Sequence, residues 1–307
     1  MTLDEFSAAN TTIEIDSISQ DVELTKEIQA RLAELGFLDP PVDGKFGPVS
    51  KLTLREFGNR VGIPTEEFFG KALADALLTT HADQIAPLDL GGDDLATAVI
   101  KYMLSKNYWV ARVPGFINIV YVEGMDEDGE LNTDEPDKFN DCRLLISIEE
   151  GRPKLLGKWQ ATTEPGKFYT MHPPSGVAHL GVARIAFGQY KAWSRGIHHG
   201  FSGLHPHEAL VQVDKIKIHR DLNKDFKRTG DQVYEGVFAI NQHSGRDQST
   251  HSIGRTSAGC LVGRAHSGHE GFMALVKSDR RFKESSHYTF MTTVIAGDDF
   301  GAVTGWQ

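Results

Sequence analysis

The sequence predicts a multidomain α and β protein: a small three-helix bundle at the N-terminus, then a mainly β domain with a few helices. Three observations lead there. A chain of 307 residues is long enough for about two domains. Up to about residue 80 the apolar residues recur at helical intervals, whereas beyond about residue 95 they alternate in short runs broken by Gly, Pro and Asp. The composition, 40% hydrophobic and 24% charged, is that of an ordinary globular chain with material for more than one core.

Residues 1–20 are polar and acidic and read as a weakly ordered leader. From Asp21, Ile28, Leu32 and Leu35 share one helical face, and Gly36 is a stop signal. Asp43-Gly44 supplies a tight reversal, and Pro48 suits the first turn of a second helix carrying Leu54, Phe57 and Val61. Thr65, followed by Glu66 and Glu67, reads as the cap of a third helix with Phe69, Leu73 and Leu77 on its face. This bundle spans residues 21–80, and residues 81–94 read as a linker. Asp93 or Asp94 then caps a helix with Leu95, Val99 and Tyr102. Strand patterns follow at Ile117–Val122, Leu144–Ile148, Val211–Val213, the KIKIH run, Val237–Ile240 and Tyr288–Ile295, with one helix from about Gly268 to Lys277. Residues 95–307 thus form the second domain.

The formal net charge is −10, with no basic stripe of the kind that phosphate binding needs, which argues against nucleic acid as a partner. No apolar run approaches the ~20 residues that span a bilayer. The N-terminus lacks the basic start and apolar stretch of a secretory signal. Two cysteines, Cys142 and Cys260, are too few for a disulfide framework and read as free thiols; a single bridge between them would remove any catalytic thiol.

The chemistry concentrates in Ile240-Asn-Gln-His243-Ser244-Gly245 and Ser252-Ile-Gly254-Arg-Thr-Ser257-Ala-Gly259-Cys260. A thiol attacks as thiolate, so a catalytic cysteine needs a base and some positive potential. His243 is suited to take the thiol proton and return it to a leaving amine. Gly259 lets backbone N–H groups approach a carbonyl oxygen and stabilise an oxyanion. Arg255 and Arg264 read either as carboxylate-binding forks, with Ser257 beside them in a substrate-binding role, or as solvated loop charges. A lone Cys in an apolar stretch or a lone His is more often structural; the pair, flanked by glycines, is what carries the reading.

Two family resemblances rest on these strings. IQARLAELGFLDPPVDGKFGPVSKLTLREF, within residues 22–80, resembles the peptidoglycan-binding type 1 module in its Leu-Gly after helix one and its Val-Asp-Gly-x-Phe-Gly; Asp43, Gly44, Phe46 and Gly47 carry the match. Ser257-Ala-Gly-Cys260, with His243 upstream, and the stretch Leu156–Phe168 with Thr163-Glu164-Pro165-Gly166 resemble the L,D-transpeptidase (YkuD-type) catalytic domain. That resemblance implies Cys260 as nucleophile, His243 as base, the Ser244 carbonyl as the group orienting the imidazole, and N–H groups of Gly259 and Cys260 as the oxyanion site. Ala258 stands where the family has a second His and Val262 where it has an Arg, so the protein looks like a divergent branch.

The implied activity is acyl transfer on peptidoglycan stem peptides through a Cys260 thioester. A phage-type or delivered lytic peptidase using the same Cys-His site is the first alternative, and an inactive wall-binding protein is another. The implied place of action is the cell wall, reached after synthesis in the cytoplasm by release or another route. Thirteen histidines also raise a zinc hydrolase, through His198-His199, His205, His207, His266 and His269, but no metalloenzyme spacing supports it, and no metal is expected in the catalytic site. Asp221-x-Asn223-x-Asp225 resembles the start of a calcium loop, with Phe226 where such a loop wants Gly. The acidic stretch Asp126–Asp141 reads as a solvated loop.

Overall fold

The structure is a computed structural model and describes residues 1–200, 203, 205–228 and 230–307. Its N-terminal half-shell is helical: α1 (Leu3–Ala9), β1 (Thr12–Glu14), a 3₁₀ turn (Ile15–Gln20), α2 (Val22–Glu34), α3 (Pro48–Arg60), β2 (Phe68–Gly70), α4 (Lys71–Thr79) and α5 (Ala82–Ile85). The expected helices at Ile28–Leu35 and Leu54–Val61 are present, with Pro48 at the start of α3. The third helix begins later than expected. Residues 68–70 pair with Thr12–Glu14 as a two-stranded ribbon, Gly70 is the residue before α4, and the Thr65 hydroxyl donates to the Phe68 carbonyl instead of capping a helix.

Residues 1–20 are not a loose leader. Leu3, Phe6, Ile15 and Ile18 are buried in the same core as Leu24, Ile28, Leu54, Phe57 and Leu73, and Phe6 packs on Phe69 with ring centroids 4.8 Å apart. Thr2 and Glu5 form a reciprocal capping box that starts α1. Four apolar side chains and a strand partner some fifty residues away hold a segment whose own sequence carries too short a period to announce itself.

The second domain begins with α6 (Leu95–Ser105), capped by Asp94 as expected. There follow β3 (Asn118–Glu123), β4 (Asp141–Glu149), β5 (Arg152–Thr162), α7 (Lys167–Met171), β6 (Val182–Ile185), β7 (Gly188–His198), β8 (His207–Gln212), β9 (Ile216–Asp221) and β10 (Gln232–Gly236). The chain ends with β11 (Gln242–Ser244), β12 (Leu261–Gly263), α8 (His266–Ser278), α9 (Arg280–Glu284), β13 (Thr289–Ala296) and α10 (Gly297–Thr304). Eight strands close a barrel in the order β11-β12-β5-β4-β3-β13-β7-β8, and β10-β9-β6 make a separate three-stranded sheet. The mixed architecture of helical module and mainly β domain is the one the sequence predicts.

Strand β3 is buried at every position, because both its faces are covered. Ile119 and Tyr121 join a core with Leu145, Trp193, Leu210 and Phe272, while Val120 and Val122 join another with Val99, Leu144 and Phe300. The stretch Val237–Ile240 is not a strand: it forms an irregular turn in which Ala239 takes a left-handed φ of 59°.

The two halves pack directly. Ala111, Val113 and Phe116 enter the core of the N-terminal module. The Asp39 carboxylate is buried against Lys191 at 2.8 Å and Arg281 at 3.5 Å, and these cations hold it below the usual carboxylate range against the opposing effect of burial. The segment expected as a linker is also pinned: Asp89 donates its N–H to the Gly151 carbonyl at 2.8 Å and pairs with Arg152 at 2.8 Å.

Because Phe6 is fully buried, Phe6→Ala is expected to destabilise the protein by about 3–5 kcal/mol through lost burial and a residual cavity. Urea unfolding checks this; a loose leader would give a change near zero.

Candidate active site

A parallel ladder between β11 and β12, with Gln242 beside Leu261, His243 beside Val262 and Ser244 beside Gly263, brings the two chemical motifs together. One step before that register Asn241 lies alongside Cys260, and the Leu261 N–H donates to the Asn241 carbonyl at 2.9 Å. Cys260 and His243 both line a cavity of about 730 Å³. Both cysteines are free, so no bridge removes the thiol: Cys142 is buried in the core with Leu144 and Val122, and Cys260 is half-buried.

The imidazole of His243 is oriented from below. Its Nδ1 lies 3.0 Å from the Ser244 carbonyl, which only accepts, so Nδ1 carries the hydrogen and Nε2 is left as the basic nitrogen. The Ser244 N–H in turn donates to His207 Nε2 at 3.1 Å, and His207 Nδ1 faces the His205 carbonyl at 3.2 Å. Burial lowers the His243 pKa well below the ordinary histidine value, with His198 adding to the effect. Burial pushes the Cys260 thiol up to about 11, opposed only by the Asn241 N–H. The resting pair is therefore a neutral thiol and a neutral imidazole. The thiol hydrogen points at the Ala239 carbonyl, 3.6 Å away, which the left-handed turn at Ala239 presents to it.

The expected oxyanion role of Gly259 does not match its geometry. Its N–H donates to Ser257 Oγ at 3.0 Å, so it is engaged within the loop. Gly259 is nevertheless required: at φ 121° an added Cβ would lie 2.5 Å from the Ala183 carbonyl oxygen. Ser257 is likewise internal. It is buried, and its hydroxyl donates to the Cys260 carbonyl at 2.9 Å while accepting from Gly259, so it closes the turn that leads into Cys260. Arg264 lies outside the cavity, with its guanidinium donating to the Gln248 carbonyl at 3.1 Å. Arg255 does line the cavity and stacks over Phe168 at 3.8 Å.

Several groups to which sequence reasoning gave no part beside Cys260 and His243 hold the site. Arg220 lines the cavity with no carboxylate among the described lining residues, and its Nη1 donates to the Gly181 carbonyl at 3.1 Å. His198, from the end of β7, stacks on His243 with ring centroids 3.9 Å apart and planes 6° from parallel. Asn241 donates to His198 Nδ1 at 3.0 Å. Asp137, placed in the loop read as solvated, accepts from Gly254 N at 3.0 Å and Lys167 N at 2.7 Å, tying the loop that ends in Cys260 to the Thr-Glu-Pro-Gly turn. That turn packs tightly on the same loop, with Gly166 N donating to the Ser257 carbonyl at 2.9 Å and no room for a side chain at Gly166. Among these, only the Asx-type potential of Asp137 was readable from sequence.

The residues of the module motif build a turn. Gly44 has φ 72° and donates to Gln29 Oε1 at 2.8 Å; Asp43 accepts from Gln29 Nε2 and Lys45 N, both at 2.9 Å. Phe46 is a core residue at 6% exposure, and Gly47 precedes α3. The motif residues thus hold a turn of the module, with Asp43 exposed on it.

Two further polar clusters bear on metals. His198, His207, His243 and His269 form a row of stacked and edge-on rings, with His269 Nδ1 accepting from the buried Arg143 at 3.3 Å. Among the described residues, the group whose ligand atoms come within 4.8 Å of one another is a different one, Glu123, Asp134 and Glu164. Arg228 pairs with Glu123, and Arg184 pairs with Glu164 and with Asp221 at 3.3 Å. Asp221 also accepts from the N–H groups of Asp225 and Phe226, while Asn223 Nδ2 donates to Asp225, so this loop's side chains close on the loop itself.

Burial, aided by Glu123 and Glu164, pushes Asp134 up to about 8. The native state therefore holds a proton that the unfolded chain releases near pH 4. The stability this group contributes is full below that pH and lost as pH rises through about 8. Asp134→Asn is expected to narrow the loss of melting temperature between pH 5 and pH 9; an unchanged difference would count against the assignment.

Comparison with known proteins gives a class for part of the chain first. Residues 21–77 match the family model described as a putative peptidoglycan binding domain. No curated protein sequence matches the chain. A solved structure, a fused Zn-dependent amidase/peptidase/peptidoglycan-binding domain-containing protein from Clostridium acetobutylicum ATCC 824, aligns over 93% of this chain and 99% of its own, at 12% identity and a TM-score of 0.27. A score that low carries no argument about the barrel or its chemistry.

Proposed function

We propose that the barrel is a cysteine acyl-transfer enzyme acting on peptidoglycan stem peptides, brought to its substrate by the N-terminal module. The observation that carries this reading is the meeting of Cys260 and His243 on one cavity wall, with the Asn241 N–H at the sulfur and the imidazole held with Nε2 as its basic nitrogen. The domain match at residues 21–77 supplies the wall.

A neutral resting pair calls for general-base attack. The thiol turns from the Ala239 carbonyl, and Nε2 of His243 takes its proton as the sulfur bonds to the peptide carbonyl carbon. The imidazolium then protonates the leaving nitrogen, the C–N bond breaks, and a thioester remains on Cys260. An amine or water attacks the thioester, its proton passes to His243, and the sulfur leaves to regain the proton. Cross-linking and cleavage share every step up to the thioester. Arg220 and Arg255, the cations of a cavity with no carboxylate among its described lining residues, suit a substrate bearing a free carboxylate.

Incubation with purified sacculi followed by mass spectrometry of the muropeptides tests the reading. Cross-links or cleaved stems produced by the wild type are expected to vanish with Cys260→Ala and to fall about 10²-fold or more with His243→Ala. Products unchanged in Cys260→Ala would refute it. Gly259→Ala is expected to abolish the same products, because its Cβ would push the nucleophile loop off Ala183.

A further inference from the structure

The two ring systems at the site are arranged in a way that base catalysis alone does not require. His198 comes from β7, far from His243 in sequence, yet its ring lies flat on His243 with centroids 3.9 Å apart. Its tautomer is dictated by a chain of donors. The Gln212 N–H donates to Asn241 Oδ1 at 2.9 Å, which fixes the amide so that Nδ2 faces His198 Nδ1 at 3.0 Å as donor. His198 Nδ1 must then be an unprotonated acceptor, and the ring is neutral with its hydrogen on Nε2. Protonating Nδ1 would set two donors against each other.

We propose that His198, held neutral by Asn241, is a positioning residue whose ring face stabilises the imidazolium of His243 and so favours the thiolate of Cys260. The face of an electron-rich neutral ring attracts a cation lying over it, and the attraction is worth most where water is excluded. His243 is almost fully buried, so its charged form otherwise has little solvation. The titratable and charged groups that bear on the pair are His199, His207, His269 and Arg246, with no carboxylate among those that shift either ring. Each would disfavour an imidazolium, as would His198 itself were it charged; with the His198 ring neutral, its stacked face joins the Ser244 carbonyl as a contact that supports the cation. Asn241 serves both members at once, since its backbone N–H reaches the sulfur and its side chain sets the ring.

The inference rests on His243 acting as base in the proposed reaction, and its test separates the two. Intact protein is alkylated with iodoacetamide across pH 5–10, and the rate at Cys260 is read by peptide mass spectrometry, which resolves it from the buried Cys142. His198→Ala is expected to slow alkylation about tenfold at pH 7. His198→Phe keeps an aromatic face and is expected to stay within about threefold of the wild type. Thermal melts of each variant establish that it is folded, and the Phe variant carries the comparison if the Ala variant is not. A His198→Ala rate within twofold of the wild type overturns the proposal, as does a folded His198→Phe protein slowed tenfold or more. If His243→Ala slows alkylation while His198→Ala does not, the base stands and only this inference falls. If His243→Ala leaves the rate unchanged, both fall.

Discussion

Three residue pairs of parallel ladder between β11 and β12 decide where everything else at the site lies. Parallel strands need a long crossover between them, and here that crossover is the sixteen-residue stretch 245–260 that ends in Cys260. The loop has little regular structure of its own and is held from outside. Asp137 ties its middle, the carbonyl of Ser257 receives the Gly166 N–H, and Ser257 closes the last turn onto the Cys260 carbonyl. Remove the ladder and the thiol has no defined distance from any base.

The electrostatics of the site follow from where the ladder sits. Gln242, His243 and Ser244 are all buried, so every charge there lacks water. Histidine and cysteine both respond by favouring their neutral forms, from opposite directions: the imidazole by losing affinity for a proton, the thiol by holding one more tightly. A site built this way does not rest as an ion pair. It needs fixed dipoles to support charge when charge forms, and the Asn241 N–H, the Ser244 carbonyl and the His198 ring face are among the groups that touch Cys260 and His243.

Legibility in the sequence tracked the range of the interaction. Helical periods in residues 21–80 and alternation in β4 and β13 are local signals, and they located those elements within a few residues. Cys260 and His243 were singled out from the glycine-flanked strings that carry them, which are local in sequence. The leader misled because its helix is short and its strand pairs across about fifty-five residues. Val237–Ile240 misled because four apolar residues look like a strand whatever φ Ala239 adopts, and the carbonyl it presents to the thiol is invisible in residue type. The hydrogen bonds of Ser257 and Gly259 run within the loop, a distinction spacing cannot make. His198 and Arg220 arrive from β7 and β9, and only strand order places them beside Cys260.

The close packing of module and barrel adds a constraint on how the wall would be approached. A buried carboxylate, Asp39, is shared by Lys191 on β7 and Arg281 on α9, so separating the halves would leave charges of both signs without water or partner. Such a junction holds the module in a set orientation and denies it the reach of a flexible tether. Of the motif residues, Phe46 is core and Gly44 is buried and bonded to Gln29, whereas Asp43 is bonded to Gln29 yet exposed. Recognition by the module therefore has to use side chains that its fold leaves exposed. The junction thus fixes where the module lies relative to the cavity that Cys260 and His243 line.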